Sequence, residues 1–389
     1  MKMRSLLAYT TIFFLLLGSF VKAEHINIGI LARHKMTQFS FVVQNGKYAL
    51  YADNQKIGTV ESGEKVILTA RKNKVQVNHQ GKFRGSFVNV NIIGISYKNH
   101  FTVSPIIPKR QTRAYDDNLK ISVHSGILRL INNIELDNYI AGVVQAEVGP
   151  NPAPEFFKLQ AILCRTYALS KLDKHQFEGF NLCDRVHCQA YHKRCSNIEI
   201  ERASKATKGN VIVDSDINLI TAAFYSNCGG QTVNSEDVWQ KPLYYLRSVN
   251  DPHCIREPNA KWQKKIGKQE WINYLEKKTG YIQTAGMSTS NLDNFTQQRR
   301  KKYYTYKNQK IPLRTIRTDW KLKSTFFDVI ENGSFVYLYG KGFGHGSGLC
   351  QEGAMKMASS GYSYTEILHF YYKDVHLIDL SVIDFFKGD

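Results

Sequence analysis

Between residues 25 and 103 apolar side chains alternate with polar ones in short runs, and residues bearing turn signals separate the runs. Side chains on a strand point to opposite faces in turn, so this alternation suits half-buried β-strands and is out of step with a helix. Phe39-Ser-Phe-Val-Val and Tyr48-Ala-Leu-Tyr flank Asn45-Gly46, a dipeptide that readily takes the positive φ of a tight hairpin, and Lys65-Val-Ile-Leu-Thr continues the pattern. The proline-flanked, charged stretch Ser104-Pro-Ile-Ile-Pro108-Lys-Arg reads as a linker and puts a boundary near residue 108.

Beyond the linker the period changes. Strands are expected at 119–123 and 127–131 around His124-Ser125-Gly126, followed by helices at 136–144, 155–173 and 199–207, the first two separated by Asn151-Pro-Ala-Pro154. A hairpin is expected from 211–213 with 219–225, and a helix at 268–278. Strands at 325–329 and 335–338 precede a glycine-rich loop and helices at 351–359 and 364–372. The fold class is therefore α+β: a β-rich region at 24–108, then a mixed α+β domain at 109–389 with residues 255–310 as an insertion.

Lys2 and Arg4 precede an apolar run over residues 6–20, and Val21-Lys22-Ala23 has the small residues that signal peptidase accepts. Residues 1–23 read as a secretory leader, which takes the protein out of the cytoplasm; left uncleaved, the run would tether it to the membrane. Without Lys2, Arg4 and Lys22 the formal charge falls from +19 to about +16, which favours anionic partners such as cell-wall polymers or lipid headgroups. No nucleic-acid-reading module accompanies that charge, so nucleic acid is not the expected partner. Seven cysteines are too few for a disulfide scaffold in a chain of 389 residues, and their odd number leaves at least one unpaired within the chain.

Three segments combine glycine with polar residues between apolar elements, the usual look of a site on a rigid scaffold. They are Gly142-Val-Val-Gln-Ala-Glu147, Tyr225-Ser226-Asn-Cys228-Gly229-Gly230 and Gly342-Phe-Gly344-His345-Gly-Ser-Gly348-Leu-Cys350-Gln351. The last lacks the ending of a phosphate-binding loop; its glycines either bring backbone amides to a ligand or form a strand-to-helix turn. Cys183, His187 and Cys188, with His175 and His192 nearby, suit a closed tetrahedral zinc site of two thiolates and two imidazoles; a disulfide of Cys183 with Cys188, or of either with Cys195, is the competing arrangement. Cys228 and Cys254 form a separate candidate disulfide. No serine-hydrolase elbow and no metalloprotease motif is present, which leaves Glu147 as the candidate catalytic carboxylate.

Taken in order, these motifs resemble the stage II sporulation protein D (SpoIID) family of peptidoglycan lytic transglycosylases over residues 113–377. The resemblance rests on Arg113-x-Tyr115, Leu136-x-x-Tyr139-x-x-Gly142-Val-Val-x-x-Glu147, Leu159-Gln160-Ala161 to Arg165-Thr166-Tyr167, and Cys183-Asp with His187-Cys188-Gln189-x-Tyr191. Tyr225-Ser-x-Cys228-Gly-Gly and Gly344-His345-Gly-x-Gly-Leu-x-Gln351 complete it. It implies that Glu147 is the catalytic acid, that the substrate is the glycan strand of peptidoglycan stripped of stem peptides by an amidase, and that Cys183, His187 and Cys188 hold zinc as in some members, with His175 as fourth ligand. The reaction itself needs no cofactor. Gln160, Arg165, Tyr167, Tyr225, Ser226, Gly229, Gly230, His345 and Gln351 are the candidate substrate-binding residues. The alternative it implies is a non-catalytic wall-binding protein that stimulates an amidase. Val148, where the family usually has methionine, and the basic insertion depart from the pattern.

Overall fold

The computed structural model describes residues 25–148, 152–239, 241–280, 292 and 294–382. The expected leader lies outside the described residues. Alternating runs become strands as their pattern requires, and the architecture is α+β. A seven-stranded sheet runs in the order Leu182–Cys183, His25–Ile30, Ile127–Glu135, Asn118–His124, Asn89–Gly94, Tyr48–Ala52, Gln55–Val60. A six-stranded sheet runs Arg113–Asp116, His100–Ile107, Gln38–Asn45, Lys65–Arg71, Lys74–His79, Lys82–Phe87. Their apolar faces meet: Tyr48 of the first lies edge-on to Phe41 and Phe101 of the second, with ring centroids 5.3 and 5.9 Å away.

Strands from both sides of residue 108 are hydrogen-bonded together in both sheets. His25–Ile30 pairs along Ile127–Glu135 and, on its other edge, with Leu182–Cys183. Arg113–Asp116 pairs with His100–Ile107. Tyr115 packs between Phe101 and Tyr191. One continuous core thus crosses the expected boundary, because alternation specifies that a segment is a strand and leaves its distant partner open.

The helices are α1 (Leu136–Glu147), α2 (Pro154–Leu169), α3 (Ile198–Ala206), α4 (Ser235–Trp239), α5 (Lys268–Thr279), α6 (Leu313–Asp319), α7 (Gln351–Ser359) and α8 (Tyr364–Tyr371). Proline at the start of α2 costs no helical hydrogen bond, and Ser363 with Glu366 closes a capping box on α8. Most of the α2 surface is buried, against α1, α3, α7 and α8. The expected hairpin forms only at its turn, where the Ile220 amide also bonds the Ile212 carbonyl, and longer-range pairing takes over beyond it. Asn210–Val213 pairs antiparallel with His376–Asp379, and only Val213 and Leu219 form a bridge. Phe224–Tyr225 instead runs parallel to Leu349–Cys350. Local turn chemistry suggests a nearby partner, whereas the main partner of this strand comes from more than 160 residues further along the chain.

A second hydrophobic cluster, built around Trp271, Leu275, Ile316, Phe327 and Leu338, occupies residues 261–341. There Lys261–Gly267, Phe335–Lys341 and Phe327–Asn332 form a three-stranded sheet covered by α5 and α6. The strands expected at 325–329 and 335–338 belong to this unit, so it extends well past residue 310.

Candidate active site

Glu147 closes α1, whose inner face, from Tyr139 to Val144, is buried in the main core. Its carboxylate is half-buried, and Oε1 accepts a hydrogen bond of 2.9 Å from the Ala190 backbone amide. Desolvation raises its pKa, opposed by the Ala190 amide and by the nearby His192. A carboxylate in the last turn also faces the negative end of the helix dipole, which again favours the protonated acid.

The loop carrying Ala190 is seated by a close approach to α1. A Cβ on Gly142 would lie 2.6 Å from Tyr191 Cε2 and 2.9 Å from the Lys193 carbonyl oxygen, so only glycine admits the loop there. Tyr191, fully buried, donates to Asn132 Oδ1 at 3.0 Å, while Gln189 joins Tyr139 to the Cys164 carbonyl. Sequence pattern, helix packing and loop docking together fix the donor that holds Glu147.

The same loop begins at a cluster of four metal-ligand side chains. The donor atoms of His175, Cys183, His187 and Cys188 all lie within 4.8 Å of one another. Cys183 Sγ is 3.4 Å from Cys188 Sγ and 3.8 Å from His187 Nδ1; Cys188 Sγ is 3.4 Å from His175 Nε2. Donors at tetrahedral zinc distances sit about 3.5–3.8 Å apart, so the set fits such an ion. Glu178 lies 2.5 Å from His175 Nδ1, the carboxylate contact that leaves Nε2 free to ligate. Cys183 and Cys188 are side by side and unbridged, and Cys195 is directed elsewhere, at Gln145 Oε1. Lys174 reaches both the Tyr167 hydroxyl and the His187 carbonyl, which places Tyr167 beside this cluster.

The glycine-rich loop makes the strand-to-helix turn into α7. Its glycines accommodate the chain's own backbone: a Cβ on Gly348 would stand 2.2 Å from the Ala223 carbonyl oxygen, and one on Gly342 2.5 Å from that of Asn227. His345 Nδ1 accepts from the Ser347 amide at 3.2 Å, so Nε2 carries the proton and donates to the Phe224 carbonyl at 3.0 Å. Tyr225 and Trp239 pack on its ring, and desolvation pushes its pKa down to about 4. A small cavity on this side is lined by His345, Arg300, Arg314 and Arg317.

The other expected substrate contacts divide sharply. Arg165, 1% exposed, donates to Asp137 Oδ1 at 2.8 Å and to the carbonyls of Ser204, Thr207 and Asn210. Its guanidinium ties α1, α2 and α3 together, which is a scaffold role. Gly229 fits its backbone against Lys341 and Gly342, while Gly230 is more open. Ser226 accepts from the Glu352 amide through its carbonyl. Gln160 Oε1, Gln351 Nε2 and the Tyr225 hydroxyl are buried with no protein partner among the described residues, which leaves hydrogen-bonding capacity for another molecule. Sequence reasoning missed the amide of Ala190, because a backbone donor has no side-chain signature.

A half-buried acid at a helix end, a thiol–imidazole cluster beside it and a glycine-rich turn are here joined in one core, and residues 124–213 match the family model described as SpoIID: Stage II sporulation protein. The chain thus contains a SpoIID domain and is homologous to stage II sporulation D proteins. It is 27% identical over 299 residues to Stage II sporulation protein D of Bacillus amyloliquefaciens, covering 71% of this chain and 84% of that protein. It is 25% identical over 339 residues to an uncharacterized protein of Brachyspira hyodysenteriae, covering 86% and 88%. A protein of Bacillus subtilis (strain 168) named Amidase enhancer is 28% identical over 283 residues, 60% of this chain but only 39% of that longer protein. No helix among the described residues is long and apolar enough to cross a membrane.

Proposed function

We propose that this protein is a lytic transglycosylase that cleaves the bond between N-acetylmuramic acid and N-acetylglucosamine in peptide-stripped glycan strands of peptidoglycan. It acts in the periplasm or cell-wall space, to which the leader at 1–23 directs it. The observation that carries this reading is Glu147, a single carboxyl group held at a helix end and biased toward its protonated form.

One carboxyl group suffices for this chemistry, whereas hydrolysis of a glycoside ordinarily uses two. Glu147 gives its proton to the bridging oxygen as the C1–O bond breaks. The resulting carboxylate then takes the proton of the muramic C6 hydroxyl, whose oxygen bonds to C1 and closes the 1,6-anhydro ring. The proton is returned, no water is consumed, and the Ala190 amide steadies the charged state between the two transfers.

His175, Cys183, His187 and Cys188 hold a structural zinc ion in this reading. The ion supplies no step of the reaction; bound there, it clamps the loop that ends in the Ala190 amide. A second reading, a wall-binding protein that stimulates an amidase, is favoured by the relative named Amidase enhancer. Mass spectrometry of peptide-free and peptide-bearing glycans, incubated with the protein and with Glu147→Gln, separates the two. Transglycosylation gives anhydro-ended fragments with the parent protein only; no such fragments, or equal amounts from both proteins, would overturn it. Stimulation of an amidase by both proteins would establish the second reading.

A further inference from the structure

Four more metal-ligand side chains meet on the other side of the core. Cys228 follows the strand Phe224–Tyr225, Asp251 and Cys254 bracket the single turn Pro252–Cys254, and Cys350 stands immediately before α7. All four are 0% exposed, and their donor atoms lie within 4.8 Å of one another. Cys228 Sγ is 3.2 Å from both Cys254 Sγ and Asp251 Oδ2. Cys350 Sγ accepts a hydrogen bond of 3.2 Å from the Cys228 amide.

The surroundings are those of a built site. Asp251 Oδ2 accepts from the Tyr371 hydroxyl at 2.9 Å, and Oδ1 from the His253 amide at 2.9 Å. These hold the carboxylate as outer-shell partners hold a metal ligand. Gly353 in α7 leaves the room they need, since a Cβ there would lie 2.3 Å from both Asp251 Oδ2 and the Tyr371 oxygen. Among the described residues the partners of this fully buried carboxylate are a hydroxyl, an amide and the thiols of Cys228 and Cys350, none of them a cation, and burial of a carboxylate without counter-charge is costly. A disulfide between two of the cysteines would leave the third thiol and the carboxylate in place with that cost unrelieved.

We propose that Cys228, Asp251, Cys254 and Cys350 bind a second divalent ion of borderline-soft character, zinc foremost, in a closed site. Three sulfurs and one oxygen complete a tetrahedron, so the site leaves no open position for a reacting group and is structural. Ligands at zinc–sulfur distance stand about 3.8 Å apart, so Cys228 and Cys254 separate by roughly half an ångström to take the ion. Bound metal pins three segments that are far apart in sequence: the Tyr225–Gly230 strand and turn, the 251–254 turn and the start of α7, which carries Gln351.

The test is metal content of the chain purified under reducing conditions without chelator, together with His175→Ala/His187→Ala, which disables the first cluster and keeps all four second-site donors. We expect two zinc ions per parent chain and one in the double variant, with Cys254→Ser and Cys350→Ser each losing one relative to the parent. Cobalt loaded into the double variant gives the intense near-ultraviolet sulfur-to-metal absorption of a thiolate site. No metal in the double variant overturns the proposal, as does a Cys228–Cys254 disulfide in unreduced peptides from protein purified without reductant. Should the serine variants fail to fold, the double variant still decides. The outcome is independent of glycan cleavage, so its failure is distinguishable from failure of the proposed activity.

Discussion

Gly142→Ala tests the link from helix packing to the proposed acid. In an isolated helix alanine is better than glycine by about 1 kcal/mol. Here the added Cβ meets Tyr191 Cε2 at 2.6 Å and the Lys193 carbonyl oxygen at 2.9 Å, where carbon contacts want about 3.5 Å or more. The loop must withdraw by roughly 1 Å at an overpacking cost of about 1–3 kcal/mol. Ala190 adjoins Tyr191, so a retreat of that size stretches its 2.9 Å bond to Glu147 beyond hydrogen-bonding range. The net destabilisation is about 1 kcal/mol by urea unfolding, and a reacting group misplaced by 1 Å loses about 100-fold in kcat/KM. The lost amide bond favoured the charged carboxylate, so its removal raises the pKa further. An acid that must start protonated then keeps working to higher pH, and the alkaline limb of the profile moves up. A variant as stable as the parent, with kcat/KM and pH profile unchanged, would refute the positioning argument.

Glu147→Gln should be more stable than the parent at neutral pH, because the fold favours a neutral group there. The folded pKa lies above 4.5, so the parent loses stability as pH rises from that value through the folded one. Urea titrations at several pH values would reveal the widening gap, and a gap that does not change with pH would refute the assignment. His345 acts in the opposite direction. Its folded pKa of about 4 lies below the ordinary 6.5, so up to about 3 kcal/mol of stability is lost as pH falls between them, and His345→Gln should flatten the acid side of the stability curve. Arg165→Met takes the buried guanidinium from three carbonyls and from Asp137, which keeps only Lys208 at 3.9 Å among the described residues, and should cost about 3 kcal/mol in chemical denaturation. A folded, fully stable variant that has lost glycan binding would return Arg165 to the ligand-contacting residues. Chelation should lower the thermal midpoint of the parent and move it less in Cys183→Ser, read by scanning calorimetry with and without chelator.

The order of motifs in the chain, strand alternation up to about residue 103 and the helical spacing around Glu147 were legible because they depend on neighbouring residues. Three of the four zinc-compatible side chains, Cys183, His187 and Cys188, were legible for the same reason, whereas spacing left His175 and His192 equally placed as the fourth. Pairing of His25–Ile30 with Ile127–Glu135, the docking that presents the Ala190 amide, and the burial that turns Arg165 into a tie between helices are contacts over long sequence separations. Cys350 joins Cys228 and Cys254 across more than 90 residues, a grouping that spacing alone could not reveal. Residue type and local period thus determined which chemistry and which elements this chain carries. The tertiary structure decided which of those groups meet, because burial and partner choice depend on how distant segments fill a common core.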